Sequence, residues 1–118
     1  LSADGTREDI HAVLDQLERS GLLSDARFAE SFVASRATRV GNARLRYDLR
    51  AKGIADDLIA AALPADTDSE TSRAREVWRR KFGVAPADRA GYARQARFLQ
   101  SRGFAVDIIR KVLKESEE

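Results

Sequence analysis

Leu45 to Leu63 reads LRYDLRAKGIADDLIAAAL, and Gln95 to Leu113 reads QARFLQSRGFAVDIIRKVL. Set against each other at an offset of 50 residues and without a gap, they share Leu49/Leu99, Gly53/Gly103, Ala55/Ala105, Asp57/Asp107, Ile59/Ile109 and Leu63/Leu113. Unrelated segments of this length would share about one residue at average usage. Lys52/Arg102, Ile54/Phe104 and Leu58/Ile108 keep their character as well. The shared positions are those that a helix, a glycine turn and a second helix require, so the chain is internally repeated.

Working outward, each half has a helix upstream, which makes a three-helix unit. In the first, Ser24 is placed to cap a helix with an apolar stripe of Phe28, Ala29, Phe32 and Val33, ending near Gly41. Asn42 is the expected cap of the next helix, which Gly53 ends in the left-handed conformation. A third helix, about 55–63, must stop before Pro64. In the second unit the stripe is Ala74, Val77, Trp78 and Phe82, followed by a helix from near Asp88 and a last one carrying Ile108, Ile109, Val112 and Leu113. Before both lies a separate amphipathic helix, about 6–20, with Ile10, Val13, Leu14 and Leu17 on one face. It repeats the Ile59/Leu63 spacing and reads as the orphan last helix of a repeat that is cut short, with its apolar face unpartnered. The expected organisation is therefore 1–21 from a first repeat, 22–63 a second, 64–68 a linker and 69–118 a third.

Composition agrees with an all-α fold. The chain has 118 residues, two prolines, seven glycines and scattered β-branched residues. It has no cysteine, which excludes disulfides and thiolate metal sites and fits a reducing cytoplasm. No apolar run is long enough for a bilayer span. The first residue is Leu, which suggests processing or trimming.

The net charge of +2 hides a segmental pattern. Residues 24–53 carry +4 and residues 73–104 carry +7, separated by −5 over 54–72. Such blocks give local positive potential that attracts phosphate. Arg46 and Arg50 fall one turn apart on one helix face, with Arg36 and Arg39 upstream and Arg44 and Lys52 at the margins. Arg75, Arg79, Arg80 and Lys81 share one helix of the last unit, and Arg94, Arg97 and Arg102 the next. Arginine suits this work because its planar fork holds phosphate or carboxylate through two hydrogen bonds. The alternative for any one of them is a solvated helix face with i, i+4 ion pairs.

Other candidates read as structural. Trp78, Tyr92 and most phenylalanines have core spacing, with Tyr47 the least clearly buried. Arg27 is expected to make an intramolecular salt bridge. His11 stands alone, and Asp66, Asp68 and Glu70 precede a helix whose N-terminus favours acids, so neither marks a metal site. There is no phosphate loop, nucleophile elbow or carboxylate pair, which argues against an enzyme or a cofactor.

Gly21-Leu22-Leu23-Ser24-Asp25-Ala26-Arg27-Phe28-Ala29, Arg36, Leu49-Arg50-Ala51-Lys52-Gly53-Ile54 and Arg97-Phe98-Leu99-Gln100-Ser101-Arg102-Gly103-Phe104 together resemble the bacterial RecX family. The resemblance covers nearly the whole chain. It departs at Gly41-Asn42, where many members have Gly-Pro, and at Asp4-Gly5, where the family has a lysine-glycine turn. It implies tandem three-helix repeats in an elongated, curved, right-handed-type array. It further implies a cytoplasmic, monomeric, non-enzymatic regulator of recombination, DNA repair and the SOS response. Such a protein docks on the RecA recombinase filament and on single- and double-stranded DNA, limiting filament extension, strand exchange and co-protease activity. Two other classes compete. A helix-turn-helix protein would present 55–63 as its recognition helix, but Asp56 and Asp57 there repel phosphate. A generic helical scaffold would show no salt-dependent DNA binding, whereas contact by about five cations gives a log-log slope near −4.5.

Overall fold

The computed structural model describes the backbone of residues 3–118 and side chains from Ile10 onward. Six helices follow one another: α1 (Ala3–Arg36), α2 (Asn42–Ala51), α3 (Asp56–Ala62), α4 (Thr67–Lys81), α5 (Arg89–Ser101) and α6 (Val106–Ser116). No strand occurs among the described residues.

The two repeats are two separate cores. The C-terminal half of α1 packs with α2 and α3 around Ala29, Phe32, Val33, Leu45, Leu49, Ile54, Ile59 and Leu63. Helices α4 to α6 enclose Ala74, Val77, Trp78, Leu99, Phe104, Ile108, Ile109, Val112 and Leu113. The repeat extends to the hydrogen bonds of the turns. Gly53 N–H donates to Arg50 O at 2.9 Å and Ile54 N–H to Leu49 O at 3.1 Å, while Gly103 N–H donates to Gln100 O at 2.9 Å and Phe104 N–H to Leu99 O at 3.2 Å. Gly53 and Gly103 have φ of 84° and 88°, a region that costs other residues backbone strain. Ala55 and Ala105 then start the next helix from extended backbone.

Trp78 Nε1 donates to Gln95 Oε1 at 2.7 Å and Gln95 Nε2 to Val84 O at 3.1 Å, so the side-chain polar atoms of these two residues are paired inside the third repeat's core. Asp66 caps α4 by accepting from Asp68 N–H, and Asp88 caps α5 by accepting from Gly91 N–H, which accounts for both acids as helix starts.

Six local expectations are corrected. The helix expected over 6–20 and the one expected to begin at Ser24 are a single helix, α1. Gly21 lowers helix propensity by about 1 kcal/mol relative to alanine, which weakens a helix without ending it when no proline follows. Ser24 is an exposed helical residue and not a cap, and Asp4-Gly5 lie inside α1 instead of in a turn. Asn42 is the first residue of α2, with Gly41 in the capping position. Arg27 has no ion-pair partner among the described residues. Phe28, expected on the buried stripe, is 44% exposed and leans on Phe32 at 5.9 Å between centroids.

The expected apolar face of α1 is present and uncovered: Ile10, Val13, Leu14 and Leu17 are each more than half exposed. The projecting helix makes the molecule elongated, with a radius of gyration of 21.0 Å against about 13–14 Å for a compact domain of this length.

The repeats meet at the start of α2. A helix N-terminus leaves backbone N–H groups without intrahelical partners, and here the third repeat supplies the acceptors. Gly41 N–H donates to Arg102 O at 2.7 Å, Ala43 N–H to Gly103 O at 3.1 Å and Asn42 N–H to the Glu70 carboxylate at 3.0 Å. Arg73 closes the ring by donating to Asn42 Oδ1 at 2.7 Å. Burial lowers the pKa of Arg73, with the negative charge of Glu70 opposing the shift. The approach is close enough that a Cβ on Gly41 would overlap the Gly103 carbonyl, and one on Gly103 would overlap the Arg44 Cβ.

Candidate arginine cleft at the joint between repeats

Beside this joint lies a cleft of about 600 Å³ with walls from both repeats. The end of α1 contributes Arg36, the turn after it Arg39, and α2 contributes Arg44 and Asp48. From the third repeat come Phe98 and, just past α5, Arg102. An adjoining depression shares Arg39, Phe98 and Arg102 and adds Arg80 and Lys81 from α4. Cations from two repeats thus form one continuous surface, with Asp48 the acid among them.

Aromatic rings hold several of these cations. The Arg36 guanidinium lies 4.4 Å from the centroid of Phe32; the Lys52 amine, which lines neither depression, is 5.8 Å from the same ring. Arg102 and Lys81 stand 5.1 Å and 5.5 Å from the centroid of Phe98, which itself packs edge-on against Phe82. Attraction between a cation and a ring face restricts a long side chain without consuming its hydrogen-bond donors. Arg44 is different: its Nε donates to both carboxylate oxygens of Asp48 at 3.3 Å. Arg80 reaches across the joint to Thr38 O at 3.5 Å.

The structure separates the other expected residues from this cleft. Arg46 and Arg50 do not continue the surface of Arg36, Arg39 and Arg44. Arg46 borders a shallow polar depression with Asn42, Pro64 and Glu70, and Arg50 pairs with Asp56 at 2.9 Å. Arg75 is tied to Glu115 at 2.8 Å. Arg79 is tied to Glu76 at 2.6 Å, and the Glu76 carboxyl is held below its usual pKa first by that hydrogen bond, while the Arg79 pKa is raised. Arg94 and Arg97 are exposed on α5 and line neither depression. Asp48 and Phe98 belong to the cleft and were not among the expected contacts. Phe98 carries the spacing of a core residue, and only the joint brings it beside the arginines of α1 and α2.

Chemically, the cleft can bind anions. Among the described residues no three His, Asp or Glu side chains converge as metal ligands, and no helix is long and apolar enough to cross a membrane.

Fold and site together define a protein built from tandem three-helix repeats with a cationic surface at their joint. Residues 24–63 match the family model for the second three-helix domain of RecX, and residues 68–113 match that for the third. The chain belongs to the RecX family. It is similar to regulatory proteins RecX of Leptothrix cholodnii (50% identical, covering 93% of this chain and 70% of the relative) and Herminiimonas arsenicoxydans (45%, covering 94% and 74%). The regulatory protein RecX of Chromobacterium violaceum is 45% identical, covering 92% and 70%. No solved structure matches the chain.

Proposed function

We propose that this protein regulates the RecA recombinase by binding its filament and the DNA within it, acting without catalysis as a monomer in the cytoplasm. Family membership through both three-helix domains carries this reading. The arginine cleft supports it, because a regulator of a nucleoprotein filament needs a surface that tolerates polyanions. On this reading the protein limits filament extension, strand exchange and co-protease activity. A helix-turn-helix reader is disfavoured by α3: its exposed face offers Asp56 and Asp57, and Asp56 already occupies Arg50.

The test is RecA's DNA-dependent ATP hydrolysis and strand exchange with this chain titrated in. Inhibition at substoichiometric protein is expected. Unaltered RecA activity together with tight duplex binding would favour a DNA-binding protein of another kind.

A further inference from the structure

We propose that the cleft at the joint holds the phosphodiester backbone of a nucleic-acid strand, and that Asp48 is a built-in competitor which an incoming phosphate displaces from Arg44. The inference rests on the reading above for its nucleic acid, and it assigns that contact to one site formed by both repeats.

Arg36 and Arg102 line the cleft from the two repeats, each laid on a phenylalanine and with no ion pair among the described residues. Their forks are positioned by the fold and free to accept an anion. Arg44 sits between the repeats and is engaged only loosely: charge-assisted N–H to carboxylate bonds usually measure 2.7–2.9 Å, and both of its contacts to Asp48 are 3.3 Å. The pair is also partly in water, with side chains 52% and 21% exposed, where such a pair adds little stability. Exchanging this carboxylate for a phosphate keeps the guanidinium satisfied. It leaves Asp48 beside a second anion, so the acid lowers affinity.

The run of cations through the cleft and its neighbour favours a strand of regularly spaced charges over a protein segment. Protein partners anchor mainly through apolar or aromatic side chains seated in pockets, and the cleft and its neighbour together offer only Val40, the nearly buried Val77 and part of Phe98 for such an anchor.

The experiment measures fluorescence anisotropy of a labelled thirty-residue thymidine oligonucleotide and of a thirty-base-pair duplex, with polyglutamate as an acidic competitor. No RecA is present. Arg36→Gln with Arg102→Gln is expected to weaken binding about tenfold and to flatten the single-strand log-log salt slope by about 1.4, or 0.7 for each lost phosphate contact. Arg110→Gln with Lys111→Gln, on exposed positions of α6, removes equal charge and is expected to change little. Asp48→Asn is expected to tighten binding about fivefold, as relief of one like charge near 4 Å in water implies, whereas Glu117→Gln does not. Because unfolding cannot produce a gain, the Asp48 variant keeps the test sound even if the arginine variant is destabilised. Loss with the arginine pair and gain with Asp48→Asn, on either strand form, support the proposal. Wild-type binding by the arginine variant, no gain at Asp48, or polyglutamate competing as well as the oligonucleotide overturns it. RecA inhibition without oligonucleotide binding sinks this inference alone, while cleft-dependent binding without any effect on RecA sinks the filament reading and leaves the cleft standing.

Discussion

Replacing Gly103 with alanine is expected to open the joint between the repeats, and Gly53→Ala provides its internal control. Both glycines occupy the same turn with nearly the same φ. Alanine in that conformation costs about 1–2 kcal/mol, offset by about 0.4–1 kcal/mol from the stiffer unfolded chain. Gly53→Ala should therefore destabilise by about 1 kcal/mol, since nothing lies within 4 Å of the added Cβ. At Gly103 the Cβ collides with Arg44, and relief requires moving the α5–α6 turn away from α2. That motion breaks the Gly41–Arg102 and Ala43–Gly103 hydrogen bonds, at about 0.5–1.5 kcal/mol each, for a total of about 2–4 kcal/mol. Gly41→Ala carries the collision without the strain, because Gly41 has φ of −86°, and should cost about 1–3 kcal/mol. The double variant at Gly41 and Gly103 should lose less than the sum, since an opened joint cannot be opened twice. Urea unfolding followed by far-UV circular dichroism and by the fluorescence of Trp78 reads all of this. The tryptophan is the only one in the chain and reports the third repeat alone. The two signals should coincide in the wild type and separate when the joint is broken. A Gly103→Ala variant no less stable than Gly53→Ala, or a strictly additive double variant, would refute the coupling.

Trp78→Phe leaves Gln95 Oε1 inside the core without its donor and should cost about 1–3 kcal/mol, measurable as a lower urea midpoint; an unchanged midpoint would mean that water replaces the indole. Amides from Ile10 to Leu17 should exchange hydrogen far faster than those of Leu45 and Leu49, because no core stabilises that part of α1. Equal protection by mass spectrometry or NMR would show that this face is covered in solution, for example by a second copy.

Much of the fold was legible because it is written twice. The glycine turns and the core leucines at 49/99 and 63/113 recur at one spacing, and a backbone conformation required in one repeat is required in the other. What eluded sequence reading depended on competition between weak signals. Gly21 and Ser24 are credible stop and start residues, yet each contributes only about 1 kcal/mol, and the surrounding helix formers carry α1 through them. The candidate cationic surface was half legible for a related reason. The charge blocks identified where arginines are dense, and Arg36, Arg39, Arg44 and Arg102 were among them. Periodicity along one helix grouped Arg44 with Arg46 and Arg50, however, and the structure groups Arg44 with Arg102, 58 positions away, through a contact between repeats that no local pattern encodes.

That contact also explains why the joint and the cleft are one device. Arg102 gives its backbone carbonyl to the N–H of Gly41 and sends its side chain over Phe98 into the cleft. The next residue, Gly103, is held against Arg44, whose own side chain forms the opposite wall. Two adjacent residues therefore fix both how the repeats sit and how far apart two guanidiniums stand. A bead-like array with loose joints would present the same arginines at variable separations and bind an anion only after ordering them. Here the hydrogen bonds at the start of α2 have done that ordering in the free protein, which is how preorganisation raises affinity without adding contacts. Opening the joint with Gly41→Ala should accordingly weaken oligonucleotide binding although no cleft side chain is altered, and undiminished binding by a Gly41→Ala protein with a demonstrably opened joint would separate the two.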